Sequence, residues 1–410
     1  MVRPTLRRRH EYGYLNYKRA GQLKGGTAMS RNDKIDQLVE TFFSGRLTRR
    51  NFFKQATALG LSTAGALAIV ESVFNNTREA YAAQVDRSKL SKELNVYNWS
   101  DYIDEATIPA FEKEFGVKVN YDTFEDNESM LAKVQSGATG YDVVYPTGYM
   151  VEIMMKEKLL APLNHDNIPN ISGVNRALRN PPYDPGMKYS IPYQWGTTGF
   201  GYNSEKVKGN VNSWSVLFDP QYKGKITILD DMRGALCVAL KYMGYSLNTT
   251  DKNELMEAKQ LLMEQKPLLK AYMSAPVKSL LISNEVWISE LWSGDVYMAM
   301  EENEALVYCI PKEGCEVWTD NMCILKSAPH RYTAEVWINY NMRPEVSAAV
   351  SNYVWYATPL DTAKPLINKE ALNDPGIYPP QEVLDRCEFL VDIGEATRIY
   401  DRIWTELKAM

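Results

Sequence analysis

The sequence predicts an α/β protein built as two lobes, and three observations predict it. Short β-type runs alternate with amphipathic helical stripes, the order that puts parallel strands in a sheet with helices on both faces. The chain is 410 residues long, enough for two domains once an N-terminal leader is set aside. No low-complexity linker interrupts the part after the leader, so ordered crossovers join the lobes.

The elements follow in order. Residues 94–99 read as the first strand. Residues 105–115 carry Ile108, Phe111 and Phe115 on one helical stripe and stop at Gly116, which accepts the left-handed turn that ends a helix. Residues 117–124 are a second strand, and Asn127 caps a helix through Met130, Leu131 and Val134 that ends at Gly137. Residues 141–145 are a third strand, with Asp142 as a structural carboxylate, and a methionine-rich helix covers 151–158. Gly199-Phe200-Gly201 follows no phosphate-loop pattern and reads as a crossover strand. Residues 225–229 form a strand ending in Asp230-Asp231, 233–243 a helix, and 286–300 a segment holding Glu290-Leu291-Trp292-Ser293-Gly294. Residues 305–311 then lead towards Trp318. The last helix covers 394–408, with Ile399, Ile403 and Leu407 on its stripe and Trp404 in the core.

The leader has its own grammar. Thr48-Arg49-Arg50-Asn51-Phe52-Phe53-Lys54 precedes a small-residue, moderately apolar run from Ala56 to Val70, and Ala80-Tyr81-Ala82 places small residues around a cleavage site. This is the order of a twin-arginine export signal, cleaved near Ala82, which sends the mature chain to the periplasm. The apolar run is shorter than the ~20 residues of a membrane span, so it is removed rather than kept as an anchor. Met29 is a second candidate start. Residues 1–82 hold 14 Lys+Arg against 6 Asp+Glu, which leaves the remaining 328 residues with a formal net charge of −13. That sign is wrong for a nucleic-acid partner and favours cationic ligands.

Five cysteines, Cys237, Cys309, Cys315, Cys323 and Cys387, show no metal-type spacing. Cys309 and Cys315 bracket a turn-like stretch where a bridge is geometrically open, while the odd count leaves at least one thiol unpaired. Of three histidines, His10 leaves with the leader, and His165 and His330 are too few for a multi-histidine metal site. With no Ser-His pairing, no cofactor loop and no Cys cluster, the expectation is a chain that is not an enzyme and has no cofactor or metal.

An indole followed two residues later by a carboxylate occurs twice, in Trp99-Ser100-Asp101-Tyr102 and in Trp318-Thr319-Asp320. Residues i and i+2 of an extended segment point the same way, so each pair offers an aromatic face beside a carboxylate. An ammonium group on a methylene chain suits that pairing. The first pair follows a strand, and Pro146–Tyr149 follows another, where ligand loops of such sheets lie.

Tyr97-Asn98-Trp99-Ser100-Asp101-Tyr102, Tyr141-Asp142-Val143-Val144, Ile191-Pro192-Tyr193-Gln194-Trp195-Gly196, Ser213-Trp214, Tyr222-Lys223-Gly224-Lys225, Asp230-Asp231, Trp318-Thr319-Asp320 and Asp392-Ile393-Gly394 together resemble the periplasmic spermidine/putrescine-binding proteins of ATP-driven uptake systems, solute-binding protein family 1. The resemblance covers essentially the whole mature chain. It implies the type II periplasmic binding fold, two α/β lobes over 92–196 with 318–364 and over 197–317 with 365–410, joined by hinge crossovers around a ligand cleft. It implies an aromatic wall of Trp99, Tyr102, Trp292, Trp318 and Tyr356, acids at Asp101, Asp231 and Asp320, and polar contacts from Thr147 and Tyr149. Two positions depart from the family pattern: Gly234 stands where it has an acid, and Leu390 where it has an amide. That end of the cleft is therefore expected to lack charge and to prefer a shorter or uncharged ligand terminus, unless Asp230 or Glu388 serves it. The implied partners are a polyamine-class cation, ABC permease subunits and the twin-arginine machinery, with the receptor a monomer. A different or conjugated amine, and a sensor or scavenger without transport, remain as alternatives.

Overall fold

The structure is a computed structural model that describes residues 30–43, 49–62, 64–66, 68, 85–137, 140–274 and 276–409. Met29 and the Ala80–Ala82 cleavage site lie outside the described residues. The chain divides into two units, residues 1–88 and 89–410. In the first, helices Arg31–Phe43 and Arg49–Ala58 bury Leu38, Val39, Phe52, Ala56 and Ala66 together. Among the described residues no helix is long and apolar enough to cross a membrane.

The second unit is organised by one ten-stranded sheet. Its strands are β1 (Glu93–Trp99), β2 (Lys118–Phe124), β3 (Val143–Val144), β4 (Ser190–Asn203), β5 (Ile226–Ile228), β6 (Leu269–Tyr272), β7 (Ile288–Trp292), β8 (Leu306–Cys309), β9 (Glu316–Ile324) and β10 (Glu388–Phe389). They lie in the order β2-β1-β3-β9-β4-β7-β5-β6, with β8 paired to β4 and β10 to β9. The expected parallel pairing is found towards both ends, in β2-β1-β3 and in β7-β5-β6. The middle is antiparallel, because β4 pairs with β9 through its first part and with β7 and β8 through its second. Gly199-Phe200-Gly201 lies in this long strand. A Cβ at Gly199 would come within 2.3 Å of the Cys309 carbonyl, so close strand approach is what requires glycine there.

Helix Thr107–Phe115 ends at Gly116, whose φ of 71° and N–H to the Glu112 carbonyl form a left-handed cap. Helix Asn127–Gln135 is capped by Asp126 rather than Asn127: the Asp126 carboxylate accepts from the Ser129 N–H at 2.7 Å. Asn127 is the first helical residue, and its amide is thereby free to reach Thr147. The third strand shrinks to two residues, and the helix after it begins at Gly148. The final helix, Thr397–Lys408, buries Tyr400, Ile403, Trp404 and Leu407, and Trp404 packs edge-on against Tyr272 at 4.8 Å.

All five cysteines are free. The open bridge between Cys309 and Cys315 is not made; Cys315 Sγ instead lies 3.7 Å from Cys387 Sγ, because β10 runs beside β9.

Asp142 is fully buried and ties three segments together. Its carboxylate accepts from the Asn95 N–H at 2.9 Å and the His330 N–H at 2.7 Å, and Oδ2 lies 3.0 Å from His330 Nδ1. Replacing it strands these donors away from water. Asp142→Ala is expected to lower unfolding free energy by about 2–4 kcal/mol in urea titrations, the range for losing a buried charged hydrogen-bond partner. A loss below about 0.5 kcal/mol would show that the tie is not structural.

Candidate functional site

The ten residues expected at a site all line one cavity in residues 89–410. Trp99 ends β1, where its Nε1 donates to the Tyr145 carbonyl at 2.8 Å. Trp292 ends β7, and the two indoles meet edge-on at 6.1 Å. Trp318 lies on β9, 5.0 Å from the Tyr356 ring, and Tyr102 packs edge-on to Tyr356 at 5.3 Å. The local sequence makes room for these rings. A Cβ at Gly196 would sit 2.7 Å from the Trp318 ring, and one at Gly294 would sit 2.6 Å from the Tyr356 ring.

The two indole-carboxylate pairs behave differently. Trp318 and Asp320 stay in an extended, buried strand and share a face, as the alternation requires. Trp99 and Asp101 do not, because β1 ends at Trp99 and Asp101 turns into the left-handed region at φ 50°. The Asp101 side chain is 71% exposed at the cavity rim and pairs with Lys278 Nζ at 2.9 Å.

Asp320 is held from one side. Its Oδ1 accepts from Thr147 Oγ1 at 2.7 Å, and Thr147 Oγ1 accepts in turn from Asn127 Nδ2 at 3.0 Å. The Tyr102 hydroxyl stands beside the same carboxylate without a well-formed hydrogen bond, and Trp318 Nε1 also lacks a partner among the described residues. Tyr149 donates to Glu128 Oε1 at 3.1 Å, and the Arg233 guanidinium lies over its ring at 5.7 Å. Asp231 caps helix Met232–Tyr242 by accepting from the Gly234 N–H at 2.6 Å.

The cavity holds more acid than was anticipated. Asp295 and Glu316 also line it, with Glu125 at its edge. Glu316 Oε2 accepts from Thr198 Oγ1 at 2.9 Å. Glu290 is fully buried beside Asp231, with Oε2 on the Leu229 N–H and Oε1 without a hydrogen-bond partner among the described residues. The end marked by Gly234 and Leu390 is therefore not short of carboxylates, which corrects the expectation. Neither stand-in serves it: Asp230 pairs with Lys408, and Glu388 with Lys241. The alternation Glu316-x-Trp318-x-Asp320 was the legible signal for Glu316, and Glu290-x-Trp292 the one for Glu290. Nothing local marked Lys278.

Burial is the main cause that raises these acids. It pushes Asp320 up to about 7 and Glu316 up to about 8, with the neighbouring Asp231 adding to the Glu316 shift. Glu128 rises to about 7 by burial and by Asp231, and Asp295 rises to about 6 by burial, with Lys278 opposing. Asp231 and Glu290 are raised by the same desolvation. Raised in this way the acids keep protons to higher pH than free carboxyls do, and a cation bound beside them would favour the ionised form.

A family model described as bacterial extracellular solute-binding protein matches residues 106–378. The spermidine/putrescine-binding periplasmic protein of Salmonella typhimurium is 34% identical over 351 residues, 85% of this chain and 97% of its own. The putrescine/agmatine-binding protein of Pseudomonas aeruginosa is 32% identical, with 80% and 93% covered. The solved spermidine/putrescine ABC transporter substrate-binding protein of Streptococcus pneumoniae superposes with a TM-score of 0.68 at 36% identity, covering 78% of this chain and 99% of its own. The fold is the two-lobed α/β type II fold of periplasmic binding proteins.

The raised acids set a pH dependence. In the unfolded chain they ionise near their ordinary 3.8 and 4.5, whereas folded they keep protons up to about 6–8. The folded state binds more protons over that interval, so the stability they contribute is complete below the lower values and is lost as pH rises through the upper ones. The melting temperature of the empty protein should fall between about pH 5 and pH 8, and Asp320→Asn should flatten part of that slope. An identical slope in the variant would remove Asp320 from the account.

Proposed function

The chain belongs to the bacterial extracellular solute-binding protein family, and from that premise we propose that it is a periplasmic receptor that captures a polyamine-class cation and delivers it to an ABC importer. The carrying observation is Asp320: a buried carboxylate with no cationic partner among the described residues, placed between the Trp318, Tyr102 and Tyr356 rings. An ammonium on an aromatic face gains about 0.5–2 kcal/mol and a charged hydrogen bond contributes about 1.5–3 kcal/mol. A few such contacts reach the roughly −8 kcal/mol of a micromolar complex after the entropy of binding is subtracted. The relatives' names, which specify spermidine, putrescine and agmatine, support the same class.

In this reading residues 92–196 with 318–364 form one lobe and 197–317 with 365–410 the other, and they close over the ligand. What supports it is that β4 and β9 run across those boundaries, and that Trp99 meets Trp292 and Asp101 meets Lys278 from opposite lobes. The receptor works as a monomer without cofactor. Titration calorimetry with putrescine, spermidine and agmatine should find at least one tight ligand, scattering on the same samples should show compaction, and Asp320→Asn should weaken binding tenfold or more. Wild-type protein that binds none of these amines would end the proposal.

Residues 1–82 act as a leader that passes through the twin-arginine machinery and is cleaved near Ala82. The sequence Thr48-Arg49-Arg50-Asn51-Phe52-Phe53-Lys54 supports this. Arg49→Lys combined with Arg50→Lys should leave the protein in the cytoplasmic fraction of the host. Undiminished export of the double variant would rule the route out.

A further inference from the structure

Near Gly234 lie two carboxylates that the ligand set implied by the family does not include, Glu316 in the cavity lining and Glu290 beside Asp231. On β9, Glu316, Trp318 and Asp320 alternate and all three line the cavity. The pairing of β9 with β4 is regular from Gln194–Asp320 to Thr198–Glu316, and the one register shift lies before it, between Pro192 and Gln194. Four residues of unbroken strand put the Glu316 and Asp320 Cα atoms about 13 Å apart, with the indole between them.

Each of these two carboxylates has one oxygen engaged by a threonine, Thr198 for Glu316 and Thr147 for Asp320, and neither forms an ion pair among the described residues. A second observation points to a cation at the Glu316 end. A Cβ at Gly234 would lie 3.1 Å from Asp231 Oδ1 and 3.2 Å from Glu290 Oε1, so two carboxylates converge on the space a side chain would fill. Glu290 is fully buried, and that Oε1 has no hydrogen-bond partner among the described residues. Among the described residues one guanidinium stands beside them, that of Arg233, which hydrogen-bonds the Val391 and Leu247 carbonyls and Asn248 Oδ1, and whose charge partly offsets the rise of Asp231 and Glu316. One cation thus faces three carboxyl groups, Asp231, Glu290 and Glu316, an acidic excess that a cationic ligand would offset.

We infer that Glu316 is a second ammonium-binding carboxylate, so that β9 acts as a ruler and the preferred ligand is a linear polyamine long enough to present protonated nitrogens to Glu316 and Asp320 at once, its methylenes lying along Trp318. This rests on the reading of the cavity as an amine receptor. An acid at position 234 would then be no gain: Gly234→Glu would crowd Asp231 and Glu290 with a further negative charge and should weaken amine binding.

The test is calorimetry on the full-length exported protein with putrescine, spermidine and a chain-length series of α,ω-diamines, for wild type, Glu316→Gln and Glu316→Asp. Wild type should favour spermidine and the longer diamines over putrescine. Glu316→Gln should reduce the spermidine-to-putrescine affinity ratio by about tenfold or more, with the melting temperature of the empty protein equal or higher, since a buried acid is removed. Glu316→Asp keeps the charge but withdraws it by one methylene, and should move the optimum to a longer diamine. If Glu316→Gln does not fold, that shift decides the matter. An unchanged ratio in Gln, or an unchanged optimum in Asp, overturns the inference and leaves the receptor reading standing. Failure of wild type to bind any amine overturns both.

Discussion

Antiparallel pairing of β4 with β9 is the contact on which the rest of the molecule depends. β4 contributes its first part to β9 and its second part to β7 and β8, so one strand carries the sheet from one half of the second unit to the other. β9 is flanked by β3 on one side and β4 on the other, and is buried along its whole length. Its register therefore decides which side chains face the cavity. A slip of one residue would turn Glu316, Trp318 and Asp320 away and present Val317 and Thr319 instead. Gly196 belongs to the same constraint, since only a residue without a Cβ lets the Trp318 ring lie against β4.

Electrostatics sets the second constraint. An ionised carboxylate taken out of water without a partner costs several kcal/mol, more than one hydrogen bond to a threonine returns. Here Asp231, Glu290, Glu316 and Asp320 are all desolvated, and Asp231 further raises both Glu290 and Glu316. Burial answers that cost by raising the acids, so that they keep their protons to higher pH. A cation that brings its own charge and hydrogen-bond donors removes the penalty, so binding and proton release are coupled. Such an arrangement is a poor way to stabilise a fold and a direct way to select a charged ligand. The rim works differently, because Lys278 already lies between Asp101 and Asp295. Asp101 is thus engaged at the mouth of the cavity, while Glu316 and Asp320 inside form no ion pair among the described residues.

How much was legible follows from the range over which each signal acts. Residues 107–115, 118–124 and 397–408 declared themselves through apolar periodicity and a stop signal within a few positions. Asp142 declared itself as a polar residue in a buried strand. Asn127 misled, because Asp126 beside it is an equally good cap and the choice was made by Thr147, twenty residues away. Asp101 misled as well: the i, i+2 rule needs an extended backbone, and the left-handed turn after Trp99 breaks it.

The sequence by itself determined the alternation of elements, the family, and a set of aromatic and acidic residues that line one cavity, because each is written in local spacing or in an ordered series of short motifs. Only the tertiary structure decided that Glu316 and Glu290 supply charge where Gly234 and Leu390 had suggested none, that Asp101 is paired by Lys278, and that Cys315 neighbours Cys387 rather than bonding Cys309. These depend on strand register and on crossings between segments tens to hundreds of residues apart. No local pattern encodes such a meeting, since it is fixed when the sheet closes and the buried groups must share one small volume.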